Sequence, residues 1–488
     1  MTEPGKNQVA HRHWILIAAM LAMFMAAIEV TIVATAMPTI VAELGGFSQF
    51  GWVFSIYLLT QAVSVPIYGR LADLWGRKRV FFIGTALFLI GSVLCGFATS
   101  MAWLILFRAF QGLGAGAIMP LTATIIADVY EPEERAGIQG WLSSVWGISA
   151  IVGPLSGAWI VQHFNWALIF WVNVPIGIIS MLMLARWFPE SRNEQGQKLN
   201  LTGSGLLMLT ITALLAALLQ AESLGYWVIM LLAIAVLAGI ALLRHEKRSA
   251  EPLFPLAIWQ SRTIVAGNAG NLVIGAAMMG ISAFLPTWIQ GVNGGTPLQA
   301  GSALAMMSIG WPLASTLSGR LMLRTSYRFT AQLGSLLLIT GTALLLTLNS
   351  NSGILHAGIS AFVIGTGMGM TSTTFLIAVQ NSAEFHIRGI CTASIMFSRM
   401  LGSALGTAVM GAVLNYNLMI RLPDHSDPVQ QLMSHTQREA LTQGSLGEMV
   451  TEIAASLHWV FAVSVAIAIC SLLIARMIPA QKPARSEA

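Results

Sequence analysis

Glu29 stands well inside an apolar stretch, whereas Asp128 and Glu384 sit at the edges of theirs. A charge deep in hydrocarbon is costly unless paired or neutralised, so an acid retained there is a working group by default. The chemistry open to it is reversible protonation, loading from one side of a membrane and emptying to the other. The plainer reading is a carboxylate that only neutralises a nearby Arg. Arg108, also deep in an apolar stretch, is the candidate counterpart, because a guanidinium keeps its proton and needs an acceptor. Gln111 lies one helical turn further on and can share the network. Arg399 is a second Arg inside an apolar stretch, closer to one end of it.

A second group mixes signs in a short polar segment: Arg70, Asp73, Arg77, Lys78 and Arg79, spaced by Gly69 and Gly76. Opposite charges at the end of packed helices can lock one conformation through ion pairs and release it in another. Ordinary anchoring at the membrane surface explains Lys78 and Arg79 equally well. Gly112 and Gly116, and Gly153 and Gly157, are pairs four apart that let helix backbones approach closely. Gly147 precedes the second pair, and Pro154 removes a backbone donor and can bend its helix. Met25, Tyr57, Gln61, Gln111, Asn271, Gln290 and Gln380 are candidates to line a cavity. Methionine packs irregular ligands, aromatic faces attract organic cations, and amides avoid lipid. Most such residues in a membrane protein face lipid or neighbouring helices instead.

The elements that must position these residues follow from composition. Of 488 residues, 56% are hydrophobic and 9% are charged, against about 25% charged in a soluble domain. The apolar residues come in runs of roughly 20, the length that spans hydrocarbon as a helix. Weak period-two alternation argues against a membrane barrel. The net charge of +5 reflects basic residues spread over short loops and does not point to nucleic acid. Cys95, Cys391 and Cys470 lie in apolar runs without paired spacing, so neither a disulfide framework nor a zinc site is indicated. No phosphate-binding Gly-x4-Gly-Lys-[Ser/Thr] loop occurs, so direct drive by ATP is not expected. No His/Cys/Asp cluster indicates a metal. The first span, starting near Trp14, outlasts a signal-peptide core and lacks a convincing cleavage site, so it reads as retained.

Fourteen spans are expected, at about 14–40, 51–69, 80–98, 103–127, 137–161, 167–187, 201–220, 226–243, 263–290, 298–319, 329–348, 354–378, 389–416 and 457–478. With the N-terminus in the cytoplasm, only Arg421 and Arg438 of the 25 Lys and Arg fall outside, and Arg108 and Arg399 fall within spans. That bias follows the positive-inside rule and places both termini in the cytoplasm. The long outer segment 417–456 reads as a solvated connector, with a gating or docking loop as the alternative. A weak duplication runs through the chain. Pro38-Thr39 matches Pro286-Thr287, Gly69-Arg70-Leu71 matches Gly319-Arg320-Leu321, Gly112-x-Gly114-x-Gly116 matches Gly365-x-Gly367-x-Gly369, and Arg135 matches Arg388. The expected plan is a six-helix bundle (1–190), two inserted helices (191–250) and a second six-helix bundle (251–488, with the extracytoplasmic loop 417–456). Parallel six-helix repeats are a transporter architecture, with the substrate site near the midplane.

Several motifs carry a family likeness. Gly69-Arg-Leu-Ala-Asp73-Leu-Trp-Gly76-Arg77-Lys78-Arg79 resembles the cytoplasmic loop signature of the major facilitator superfamily. Arg108-Ala-Phe-Gln111-Gly112 resembles its fourth-helix motif, and Gly147-x5-Gly153-Pro154-x2-Gly157 its antiporter motif. Glu29-Val-Thr31 through Pro38, and Trp166 through Gly177, resemble the fourteen-helix drug:proton antiporters. Glu29 stands where that group usually has Asp, and Met322 and Leu323 stand where the second loop would carry an acid.

The resemblance implies proton-coupled export of hydrophobic, often cationic, compounds across the cytoplasmic (inner) membrane. Glu29 and Arg108 would then form the coupling pair, H+ would be the coupling ion and no cofactor would be needed. The working form would be a monomer among membrane lipids, with a periplasmic adaptor as a conceivable partner. Alternatives are a dedicated exporter of one metabolite, siderophore or lipid-like compound, and the inner-membrane subunit of a multi-part efflux assembly. An enzyme is not expected.

Overall fold

The computed structural model describes residues 11–44, 50–189, 200–219, 225, 227–249, 256–350, 352–423, 429, 432 and 443–480. Among these residues every regular element is helical. The long helices are α1 (Arg12–Leu44), α2 (Phe50–Trp75), α3 (Arg77–Gly96), α4 (Met101–Val129) and α5 (Pro132–His163). The short α6 (Leu168–Trp171) runs into α7 (Asn173–Trp187), and α8 (Leu201–Leu219) and α9 (Trp227–Arg248) follow. Then come α10 (Arg262–Thr287), α11 (Pro297–Arg324), α12 (Tyr327–Leu346), α13 (Ile354–Ser382), α14 (Arg388–Arg421) and α15 (Gln443–Ala475). Eleven helices among the described residues are long and apolar enough to cross a membrane. At 1.5 Å per residue, about 20 residues match a hydrocarbon core of about 30 Å.

The helices start and stop for local reasons. Ser100 accepts a hydrogen bond from the Trp103 amide at the head of α4. Thr296 and Gln299 form a capping box at the head of α11, followed by Pro297, and that proline needs no amide donor at this position. Gly76 separates α2 from α3 with φ of 94°, a backbone region in which only glycine is at ease. Pro286 lies near the end of α10, and the chain then widens into a π-turn over Trp288–Val292. Proline removes one ladder hydrogen bond, and beyond it the Asn293 amide donates to the Trp288 carbonyl five residues back at 3.1 Å, the spacing of a π-turn.

The chain divides into two compact units. One comprises Met1–Arg135, Val145–Val265 and Val379–Phe397; the other comprises Ala136–Ser144, Ala266–Ala378 and Ser398–Ala488. In the first, Ile28, Ile32, Met37, Cys95, Leu104 and Phe170 form an apolar core. In the second, Leu285, Trp288, Leu338, Phe375 and Phe461 do so.

The duplicated glycines do the same work in each unit. A Cβ on Gly112 or Gly116 would collide with Tyr57 and Thr60, or Gln61 and Ser64, of α2, and one on Gly114 with Gly84 and Phe88 of α3. A Cβ on Gly365 or Gly369 would collide with Met307 or Trp311 of α11, and one on Gly367 with Gly334 and Leu338 of α12. Alternate glycines thus let one central helix touch two neighbours at backbone distance.

Helix α14 runs on to Arg421 and α15 begins at Gln443, so helix extends into both ends of the 417–456 segment. Arg421 and Glu452 pair across it at 2.8 Å. Residues 424–428, 430–431 and 433–442 of that segment lie outside the described residues.

Candidate functional site

Glu29 is fully buried on α1. Arg108 Nη1 on α4 pairs with its Oε1, and Asn173 Nδ2, at the start of α7, donates to its Oε2. The same Arg108 nitrogen donates to Gln111 Oε1 at 2.7 Å, and Arg108 Nε donates to the Val53 carbonyl at 3.2 Å. Ser92 Oγ on α3 accepts from Gln111 Nε2 at 2.6 Å and from Asn173 Nδ2 at 3.2 Å. The guanidinium lies 4.1 Å from the Tyr57 ring centroid and 6.0 Å from that of Phe170. Elements α1, α2, α3, α4, α6 and α7 therefore converge on one carboxylate in one unit.

Burying such a pair is costly, and geometry with further hydrogen bonds is what offsets the loss of water. Here most polar atoms are engaged, but Tyr57 Oη and Asn173 Oδ1 have no partner among the described residues. Protonation of Glu29 would remove the anion that Arg108 faces and free the guanidinium for its other acceptors. The cluster can thus exist in two charge states with different internal bonding.

The second constellation is built around Asp73. Its Oδ1 accepts from the Gly389 amide at 3.0 Å and its Oδ2 from the Ile390 amide at 2.8 Å. These are first-turn amides of α14, which have no acceptor within their own helix. The carboxylate caps that helix and meets the positive end of its dipole. Arg77 Nη2 pairs with Asp73 at 3.0 Å and donates to the Phe385 carbonyl at 2.8 Å. Arg77 Nε pairs with Asp128 at 3.1 Å, and Arg388 joins Asp128 at 3.0 Å. A Cβ on Gly69 would meet the Gly389 carbonyl at 3.0 Å, so glycine is required for this approach. Arg135 donates to the Tyr130 carbonyl at 2.9 Å and to Asn381 Oδ1 at 2.6 Å.

The remaining sequence candidates divide. Tyr57 and Gln111 join the Glu29 cluster. Met25 is buried on α1, its sulfur 2.9 Å from where a Cβ on Gly177 would lie. Gln61 is buried on α2. Gln380 is buried in the same unit and donates to Thr392 at 3.3 Å. Asn271 is buried in the other unit, donating to the Gly267 carbonyl at 3.0 Å and accepting from Ser372 at 3.3 Å. Gln290 is half-buried in the π-turn. Gly153 lies against Thr31 of α1, whose hydroxyl donates to the Ser149 carbonyl at 3.0 Å. Gly147 is half-buried and Gly157 buried on α5, while the Pro154 side chain lies outside the described residues. Sequence reasoning did not place Ser92, Asn173 or the Val53 carbonyl at Glu29, nor the α14 amides at Asp73. The only advance signal was that Asn173 lies in the Trp166–Gly177 motif.

A helical membrane protein with a buried carboxylate–guanidinium pair and duplicated glycine helices has the build of a secondary transporter. Residues 19–407 match the family model described as Major Facilitator Superfamily, and the chain belongs to that superfamily. Multidrug transporter protein MdtP of Bacillus subtilis (strain 168) is 33% identical over 420 residues, covering 85% of this chain and 77% of that protein. Multidrug resistance protein 3 of the same organism is 33% identical over 408 residues, covering 83% and 80%. The crystal structure of the human organic anion transporter MFSD10 (TETRAN) superposes with a TM-score of 0.62 at 13% identity, covering 94% of this chain and 100% of that one. That likeness concerns the fold alone. The resemblance read from the motifs is borne out by these matches. The chain is a multi-pass membrane transporter and not an enzyme.

Proposed function

We propose that this transporter is a proton-driven antiporter that exports hydrophobic and cationic compounds across the cytoplasmic membrane by alternating access. The observation that carries the reading is the fully buried Glu29, held by Arg108 and Asn173. In this scheme Glu29 takes a proton from outside and gives it up inside, and the change in its bonding to Arg108 is coupled to the exposure of substrate. The Asp73–Arg77–Asp128–Arg388 knot serves as a latch that opens and closes in the cycle. Fourteen helices cross the membrane with both termini cytoplasmic, as bundles 1–190 and 251–488 with a pair inserted at 191–250. The cavity residues are Met25, Tyr57, Gln61, Gln111, Asn271, Gln290 and Gln380. The working form is a monomer, and pull-down of a periplasmic partner tests whether an adaptor is added. The relatives' names support the substrate class, because two are named for multidrug transport or resistance.

The test is ethidium efflux from cells expressing wild type, Glu29→Gln or Glu29→Asp at equal levels, with and without an uncoupler. Wild-type efflux is expected to collapse with the uncoupler, Glu29→Gln to be inert, and Glu29→Asp to recover at least part of the activity. Uphill pumping by Glu29→Gln would remove Glu29 from the coupling role. A wild type that moves no cation would favour a dedicated metabolite exporter.

A further inference from the structure

Arg399 is the second Arg placed deep in a helix, and its circumstances differ from those of Arg108. It lies eleven residues into the 34-residue α14 from Arg388, about 16 Å along the axis, inside the apolar stretch but nearer the Arg388 end of the helix than its middle. Its side chain is half-buried. No hydrogen bond or ion pair reaches its guanidinium among the described residues, although its backbone carbonyl accepts from Ser403 at 3.1 Å. Nor does the surrounding sequence offer an acid: between Arg262 and Arg421 the chain carries Glu384 alone, and that residue precedes α14.

The helix face that bears Arg399 is packed inside the second unit. A Cβ on Gly275 of α10 would lie 3.0 Å from the Ser403 amide nitrogen and would collide with the Arg399 carbonyl. A Cβ on Gly402 would lie 2.8 Å from Leu272 Cα, and one on Gly406 would lie 2.7 Å from Ala276 Cβ. The preceding residue, Ser398, donates to Asn268 Oδ1 at 2.8 Å. The same stretch of α10 carries the buried amides Asn268 and Asn271. Arg399 is thus a permanent cation on a helix face packed against α10, within an apolar stretch where an unmatched charge is costly. Its five donors match a carboxylate or a comparable oxyanion.

We propose that Arg399 is a substrate-recognition residue that takes an anionic substituent, of the carboxylate type, on an otherwise lipophilic or cationic compound. The inference rests on the export reading above and narrows it: amphiphiles carrying a carboxylate are preferred over the same molecules without one. In the first unit a protein acid, Glu29, neutralises Arg108; in the second, the substrate supplies the missing acid.

The experiment uses purified full-length protein in detergent and a matched pair of dyes, tetramethylrhodamine with its free carboxylate and its methyl ester. Binding is read by fluorescence anisotropy for wild type, Arg399→Gln and Arg399→Lys. Wild type is expected to bind the acid about tenfold more tightly than the ester, the scale of one charge-assisted hydrogen-bonded contact. Arg399→Gln should erase that preference and leave ester binding within about twofold, and Arg399→Lys should restore part of it. No preference in the wild type, no binding of either dye, or equal weakening of both dyes by Arg399→Gln would overturn the assignment. Binding needs no proton gradient. Failure of the uncoupler test therefore sinks proton coupling and leaves this result standing, and the converse also holds.

Discussion

Asn173 donates through Nδ2 to Glu29 and to Ser92, while its own Oδ1 has no partner among the described residues. An ionised carboxylate needs that donor. A protonated one presents a hydroxyl, and turning the amide over would offer Oδ1 as its acceptor. Asn173 can therefore satisfy Glu29 in either state, which Arg108, a donor only, cannot. Asn173→Leu keeps the bulk and removes both functions. Ethidium efflux at equal expression is expected to fall about tenfold or more, from loss of a hydrogen bond to a charged group. Near-normal efflux would show that Arg108 alone serves the carboxylate. Glu29 and Arg108 were legible in the sequence because a charge in an apolar run is itself the anomaly. Asn173 and Ser92 were not legible as members of the cluster. Neutral polar side chains are cheap enough to occur on many helices, and their contacts span sequence separations of 144 and 81 residues.

The central helices α4 and α13 owe their place to glycine spacing, and the duplication was readable because close packing leaves a composition that repeats. The cost of filling that space is measurable. Gly365→Ala would drive a methyl into the Met307 backbone, whereas Gly411→Ala on α14 meets nothing within 4 Å. The first is expected to destabilise by about 1–3 kcal/mol, the range for overpacking. The second should be neutral or gain up to about 1 kcal/mol from better helix propensity. Thermal unfolding of the two purified variants, side by side, checks the contrast; a lower midpoint for Gly411→Ala than for Gly365→Ala would refute it. The Asp73 cluster was half legible. The charged residues and the two glycines announced a cluster of ion pairs. The acceptors' partners, however, are backbone amides at the head of α14, and a backbone amide carries no side-chain signature.

Topology is where sequence and structure bear on the whole molecule differently. The asymmetry of Lys and Arg constrains any error of one span, because every later loop would change sides. It is blind to an error of two, since removing a pair returns each later loop to the same side. An adjacent pair whose loss the rule would not notice is α8 and α9, of 19 and 22 residues, of which α9 meets the membrane-spanning length. The apolar part of α8 is shorter than the eleven helices that meet the membrane-spanning length. At 1.5 Å per residue α8 measures about 28 Å, close to the hydrocarbon thickness of about 30 Å. It also packs against α9 and α2, as a spanning helix would. A reporter in the loop between them separates the cases. Alkaline phosphatase fused after Glu222 is expected to be active, because a fourteen-helix path puts that residue outside. Fusions after Arg192 and Arg248 are expected to be inactive, and one after Arg438 active. Activity at Arg438 with silence at Glu222 would mean that α8 and α9 lie on or in the membrane without crossing it. The two six-helix bundles would then keep their orientation, and the inserted pair would drop out of the spanning count.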